Sequence, residues 1–299
     1  MAVAELRLPR PFLRLPVRPA GIAGAGVLAA LACVAIAAPW ISPYDPASVV
    51  APPFEPPSPA HPLGTNDIGQ DILSELIYGS RISLTIGFLA AATAVSLGTL
   101  VGVVAGYYGG AVDALLMRLV DLILVIPFLP LMIVLAAYLG PRFWNTILVI
   151  AALTWARPAR VIRAQVLSLG TLDYVDAARA LGASTPRILT RHILPGVLPL
   201  SLAQFITAAS HAILVEASLS FLGLGDPTAK SWGSILYYAQ ARSAFLSGAW
   251  PWWVLPPGLL VTVTALSFAL VGLALEERLN PRLRYRHSGA ALQTELIRN

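Results

Sequence analysis

Long runs without a single Asp, Glu, Lys or Arg constrain this 299-residue chain more than any other feature. None of these residues occurs between Arg18 and Asp45, between Arg81 and Asp113, between Asp121 and Arg142, or between Arg242 and Glu276. A bilayer core takes about 20 mainly apolar residues per helix, because backbone polar groups must be satisfied inside the segment. Charged residues make up only 12% of the chain and hydrophobic ones 57%. A soluble domain carries about a quarter of its residues as charges. So little polar surface excludes an ordinary soluble enzyme, and a disordered chain would need low hydrophobicity and high charge. The single Cys33 excludes a disulfide scaffold. An all-α, polytopic membrane protein remains.

The uncharged runs give six candidate spans: 21–40, 82–112, 122–140 (extendable towards Asp113), 145–162, 195–215 and 249–275. The fourth is the least apolar, since Arg157 and Arg160 fall in its last turns, where they are expected to snorkel to a headgroup layer. Pro127 and Pro130 are expected to kink the third span. Trp250, Trp252 and Trp253 read as an interfacial belt before the sixth. Six spans put Arg7, Arg10, Arg14 and Arg18 on the same side as Arg118, the arginines of 157–191 and the C-terminal tail. That side holds sixteen of the twenty cations, against Arg81, Arg142, Lys230 and Arg242 opposite. The asymmetry predicts both termini in the cytoplasm. The basic start and Ala35-Ile36-Ala37 imitate a cleavable signal, but the long basic segment and wide apolar run read as an uncleaved anchor.

Two connections stand out. Residues 39–60 are proline-rich and predict an extended, exposed connector, followed by the turn-rich His61-Pro62-Leu63-Gly64-Thr65-Asn66-Asp67. Ile68, Ile72, Leu76 and Leu73, Ile77 then recur at helical spacing. This fits either an amphipathic helix at the outer interface or a helical lead-in to the second span. Between the fourth and fifth spans, residues 172–181 have helical composition and Gly182 is placed to end the helix in a left-handed cap. Thr185-Pro186 reads as an N-cap with proline at the first helical position. Two short helices with a tight turn should therefore project from the membrane. Ala177, Ala178 and Ala180 keep the first slim, while Asp176, Arg179 and Arg187 supply charge. A slim helix can enter a groove on another protein. The same residues also fit a basic loop lying on anionic lipid.

Asp176-Ala177-Ala178, with Gly182 four positions on and His192-Ile193-Leu194-Pro195 later, resembles the EAA loop of ABC-type importer permeases. Three further stretches are similar to one subfamily. They are His61-Pro62-Leu63-Gly64-Thr65 through Asp71 to Tyr78-Gly79 and Arg81, Ser220-Phe221-Leu222-Gly223-Leu224-Gly225 with Ser231-Trp232-Gly233, and Asn280-Pro281-Arg282-Leu283. Together they look like the C-type permease of dipeptide, oligopeptide and nickel importers.

The resemblance implies the type I importer permease fold. Its segments would be a cytoplasmic segment 1–20, a first span with external connector and amphipathic helix over 21–80, a five-span core over 81–276 and a cytoplasmic tail 277–299. The EAA loop, 163–195, would be a coupling element docking on an ATPase, through Asp176, Ala177, Ala178, Arg179, Gly182, Ala183, Leu194 and Pro195. Implied partners are a homologous second permease, two ATP-binding subunits, an extracytoplasmic solute-binding protein and the lipid of a bacterial or archaeal cell membrane, with no nucleic acid. ATP and Mg would reside on the partners, and this chain would hold no cofactor or metal. Short peptides are the implied cargo, with nickel or oligosaccharides as alternatives. Two departures are Asp176 in place of the usual Glu, and Gly196 where the subfamily often has Asn.

Polar groups inside the spans are candidate path residues. Glu216 closes the fifth span just before Ser220. It fits a path-lining carboxylate, a partner for an arginine or a cap for the next helix. His211 invites a metal reading, but a lone imidazole is a weak site and a buried, hydrogen-bonded histidine is the better fit. Arg118 and Asp121, three apart, are expected to form a local ion pair. No Walker A loop surrounds the only lysine, Lys230, so ATP hydrolysis would come from other chains. A stand-alone secondary transporter would commonly show internal repeats. An intramembrane enzyme would need a constellation such as His-Glu-x-x-His, which is absent from the sequence.

Overall fold

A computed structural model of the chain describes residues 17–279. Arg7, Arg10, Arg14, the tail arginines beyond 279 and the Asn280-Pro281-Arg282-Leu283 stretch lie outside the described residues. In chain order the helices are α1 (Val17–Ile41), α2 (Ile72–Tyr108), α3 (Gly110–Val125), α4 (Phe128–Leu139), α5 (Phe143–Thr154) and α6 (Ala156–Gly170). They continue with α7 (Asp173–Ala180), α8 (Thr185–Ile188), a π-helical turn (Leu189–Ile193), α9 (Leu194–Phe221), α10 (Trp232–Ala241), α11 (Trp250–Trp253) and α12 (Leu255–Leu279). Four helices, Pro19–Ile41, Ile72–Tyr108, Thr185–Phe221 and Trp250–Glu277, are long and apolar enough to cross a membrane. The bent pair α3–α4 makes a fifth by composition, and α5 adds a shorter apolar helix.

Local chemistry explains where these helices begin and break. Asp71 caps α2, its carboxylate accepting from the Ser74 backbone N–H at 2.8 Å. From there α2 runs 37 residues without interruption. The amphipathic stretch is thus the lead-in to the second span, with Ile72 and Leu76 buried in the protein. Gly109 and Gly110, at φ 63° and 53°, end α2 and start α3 in a conformation that L side chains rarely adopt. The α3–α4 pair bends by 90°. The bend falls at Ile126, which is extended (ψ 134°) because proline excludes the helical region for the residue before it. Pro130 sits in the first turn of α4, where its missing N–H is harmless, so of the two expected kinks only Pro127 produces one. Near the C-terminal end, Pro256 and Pro257 open α12 after the separate turn α11.

The interior is built on close helix approach. A Cβ on Gly98 would lie 2.7 Å from the Trp155 carbonyl oxygen, one on Gly102 2.6 Å from that of Ala159, and one on Gly106 3.0 Å from that of Arg163. Glycines four apart on α2 therefore let the backbone of α6 lie directly against it, the packing mode of small-residue stripes in membrane helices. Ion pairs also hold α3 on α6. Arg163 holds Asp113 and Arg160 holds Asp121. The expected Arg118–Asp121 pair is thus replaced by one across helices, and Arg118 is exposed. The snorkelling expected of Arg160 gives way to the same contact.

At the end opposite the 163–195 loop, Trp232, Trp253, Ile72, Leu76 and Ile235 form a core cluster with Phe54, Leu63 and Trp252 packed on it. Trp253 is fully buried there rather than in an interfacial belt, while Trp250 is exposed.

Candidate functional site

The 163–195 loop begins where α6 ends. Its helix α7 carries Asp173 and Asp176 in the first turn and Arg179 in the last, each complementing the helix dipole. Val175 is the single buried residue of α7, seated in a cluster with Val103, Ile162, Val166, Ile188, Ile193 and Val197. The rest of the helix faces outward. Asp176, Ala177, Arg179 and Leu181 are exposed, Leu181 at 88%, and Ala178 and Ala183 are half-buried. Asp176 and Arg179 pair with each other at 2.9 Å on the surface. Arg179 also reaches the Gly170 carbonyl at 3.3 Å and lies over the Tyr107 ring. Tyr174, Ala177 and Leu181 thus make a narrow apolar strip on a helix held at its base.

The turn after α7 closes as the glycine requires. Gly182 sits at φ 78°, and its N–H donates to the Arg179 carbonyl at 3.0 Å, while Ala183 N–H donates to Ala178 at 3.0 Å. Nothing lies within 4 Å of a Cβ built there, so conformation and not space selects glycine. The next helix starts one residue before the expected cap position. Ser184 is the N-cap residue, Thr185 is already helical and Pro186 lies in the first turn. This second helix does not stand alone. It passes through the π-helical turn into α9, where Leu194 N–H donates to the Leu189 carbonyl. Pro195 follows at once; lacking an N–H and crowding the preceding turn, it accounts for a widened turn at that point. Leu194 is half-buried and Pro195 is exposed.

Glu216 and Ser220 meet at the opposite end of α9. Glu216 is fully buried. Its carboxylate accepts from Ser220 Oγ at 2.7 Å and from Ser83 Oγ at 3.2 Å. Ser83 Oγ in turn accepts from the Trp232 backbone N–H at 3.1 Å. A Cβ on Gly233 would lie 2.6 Å from the Ala217 carbonyl oxygen. The Ser220–Gly225 and Ser231–Gly233 motifs are therefore two halves of one joint, where α2, α9 and α10 touch. Beside it, burial alone would raise the Asp226 carboxyl. Hydrogen bonds from the Thr228 hydroxyl, the Thr228 N–H and the Phe143 N–H outweigh that and hold it below its ordinary value.

The connector is exposed over most of 39–60, as expected, yet it is anchored through the residues after it. Thr65 Oγ1 donates to the Pro52 carbonyl at 2.6 Å, and His61 Nδ1 contacts Asp71 Oδ1 at 3.0 Å. Asn66 Oδ1 accepts from the backbone N–H groups of Ile68 and Gln70, and Asn66 Nδ2 donates to Gln70 at 2.9 Å and Glu75 at 3.0 Å. Lys230 completes the set by pairing with Glu75, whose side chain is 2% exposed. The composition of the connector gives no signal for this network, which only the tertiary fold assembles. Lys230→Met is expected to leave a buried carboxylate unpaired and to cost about 3 kcal/mol. The double variant Glu75→Gln/Lys230→Met should recover part of it. Thermal unfolding of the detergent-purified protein checks both, and equal melting of wild type and Lys230→Met would show that the Glu75–Lys230 pair does not stabilise the fold.

His211 lies apart from this joint. It borders an open cavity of about 210 Å³ lined by the α3–α4 bend, α5, α6 and α9. Its ring packs against Phe128 with centroids 5.3 Å apart. Contrary to the buried placement expected for it, the residue is exposed to that cavity.

The description "Binding-protein-dependent transport system inner membrane component" fits residues 98–285 of the chain. A putative peptide transport system permease protein of Brucella suis is 41% identical over 263 residues, covering 87% of each chain. A dipeptide transport system permease protein of Haemophilus influenzae is 38% identical over 262 residues, covering 85% of this chain and 88% of its own. A di/tripeptide transport system permease protein of Pseudomonas aeruginosa is 37% identical over 258 residues, covering 84% of each. Among solved structures, an amino acid ABC transporter chain overlays 69% of this chain and 92% of its own at 21% identity, with a TM-score of 0.47. The chain is a polytopic helical membrane protein, and it belongs to the family of binding-protein-dependent transport system inner membrane components, as one of their transport subunits.

Proposed function

We propose that this chain is the permease subunit of an ATP-driven importer, forming half of the translocation pathway for short peptides, and that α7 is its coupling helix. The observation that carries the reading is the exposed, narrow apolar strip of Tyr174, Ala177 and Leu181 on a helix fixed at its base by Val175. That form suits insertion into a cleft on an ATPase, with Asp176, Ala177, Ala178, Arg179, Gly182 and Ala183 in the contact and Leu194 and Pro195 at the return. ATP and Mg belong to two ATP-binding partners. A second, homologous permease supplies the other half of the pathway, and an extracytoplasmic binding protein delivers the cargo.

Six spans fit this reading when α3–α4 is one bent span, α5–α6 another, and α8–α9 and α11–α12 single ones. Both termini then lie in the cytoplasm of a bacterial or archaeal cell, with sixteen of twenty cations on that side. The peptide cargo follows the names of relatives that match most of the chain. The nickel alternative is not favoured: those names are of peptide systems, and no group of three His, Cys, Asp or Glu converges among the described residues. Glu216 and Ser220, fastened within the joint at the end of α9, act as a brace for the pathway wall.

Reconstitution tests the reading. The chain alone in proteoliposomes is expected to take up no peptide, while the complete assembly with its binding protein shows ATP-dependent uptake. Robust peptide transport by the single purified chain would overturn the subunit assignment and support a secondary transporter.

A further inference from the structure

We propose that Arg157, with Gln204 lining the same cavity, is an intramembrane site for the C-terminal carboxylate of the passing peptide. The proposal rests on the peptide-importer reading and adds where the cargo is held. Arg157 lies 14 residues beyond Phe143, the start of α5. At 1.5 Å per residue that is roughly 21 Å along the helix, within the ~30 Å of a hydrocarbon core. A cation at that depth is costly unless something meets it. The other two arginines of α6 are met, Arg160 by Asp121 and Arg163 by Asp113. Arg157 has no acidic partner among the described residues, and its side chain borders the 210 Å³ cavity, whose walls contain no carboxylate.

The chemistry of the walls selects the ligand. Thr154 Oγ1 donates to the Ile150 carbonyl at 2.7 Å, and Thr207 Oγ1 donates to Ala203 at 3.1 Å. Both hydroxyl protons are spent on their own helices, so these residues offer the cavity lone pairs only. Arg157, Gln204 and His211 are left as the groups with N–H donors to give, and the guanidinium fork of Arg157, the charged one of the three, matches a carboxylate bidentately. Phe128 and the aliphatic residues around it supply an apolar surface for a side chain. At about 30 Å³ per water, the cavity has the volume of roughly seven waters, enough for a carboxylate and part of the residue bearing it. A peptide terminus is thus complementary in charge, donor pattern and size.

The complete transporter is reconstituted with its binding protein, and uptake of trialanine and trialanine amide is measured, each at a concentration that saturates the binding protein. For Arg157→Gln the acid-to-amide uptake ratio is expected to fall about tenfold, the loss of one charge-assisted contact. Arg157→Lys should fall between wild type and Arg157→Gln, since the charge remains but the bidentate fork is lost. An unchanged ratio in Arg157→Gln overturns the carboxylate site whatever happens to the absolute rate, because a purely structural arginine would slow both peptides alike. If wild type moves neither peptide with ATP, the peptide-importer reading fails and this site fails with it.

Discussion

Gly102→Leu is expected to abolish accumulation of the folded protein. A Cβ at this position would already stand 2.6 Å from the Ala159 carbonyl oxygen and 2.9 Å from Ile162 Cβ. Overpacking of a core usually costs about 1–3 kcal/mol because neighbouring side chains can move aside. Here the obstacle is backbone, so α2 and α6 must separate and the Gly98 and Gly106 contacts open with them. Separation also strains the Arg163–Asp113 and Arg160–Asp121 pairs that hold α3 on α6. A loss of at least about 3 kcal/mol is expected, a large part of the stability of a whole domain. Fluorescence-detected size exclusion of tagged protein reads this directly, with Gly26→Leu as control because nothing lies within 4 Å of a Cβ at Gly26. Similar monodisperse yields for both variants would show that α2 and α6 do not touch this way.

The second large effect is expected at Ala177. This residue is exposed on α7, in line with Tyr174 and Leu181, and touches none of the packing that seats Val175. Ala177→Trp should therefore leave insertion and thermal stability unchanged. If α7 enters a cleft, the same change should remove co-purification of the ATPase subunits and lower ATP-dependent uptake at least about tenfold, as loss of a central contact does at interfaces. Gly182→Ala tests the turn behind it; forcing a side chain to φ 78° should cost about 1–2 kcal/mol locally and weaken ATPase association less than the tryptophan does. Substituting Asp176 by Ala removes only an exposed pair with Arg179, worth a few tenths of a kcal/mol, so any larger loss of coupling would come from a contact with the ATPase. Full ATPase binding and uptake by Ala177→Trp would defeat the coupling-helix assignment.

Charge placement carried much of this architecture in one dimension. The uncharged runs locate the long helices, Gly182 marks its turn and Pro127 marks the bend. What the sequence did not disclose was which surfaces meet. The recurrence of Gly98, Gly102 and Gly106 is legible, but nothing in it names α6 as the helix that lies there. Asp121 has Arg118 three residues away and yet pairs with Arg160, because α3 and α6 lie side by side and a partner on the neighbouring helix is nearer its reach. Tryptophans before an apolar run suggest a membrane interface, whereas Trp253 is taken up by a core formed with residues nearly two hundred positions earlier. In the sequence Arg157 is indistinguishable from Arg160 and Arg163. Only the pairing of the other two arginines of α6 set it apart.

The π-helical turn at Leu189–Ile193 has a consequence for helical phase. Ile188, Ile193 and Val197 all enter one cluster. In an uninterrupted α-helix, a residue five positions on is rotated by about 140° from the first, because each residue advances about 100°. Ile188 and Ile193 would then point to different sides. The widened turn absorbs one residue and returns Ile193 to the azimuth of Ile188, after which the ordinary spacing of four carries it to Val197. The loop and the span are therefore a single rod with a correction of phase built into it, so that one helix keeps the same face turned inward above and below the break.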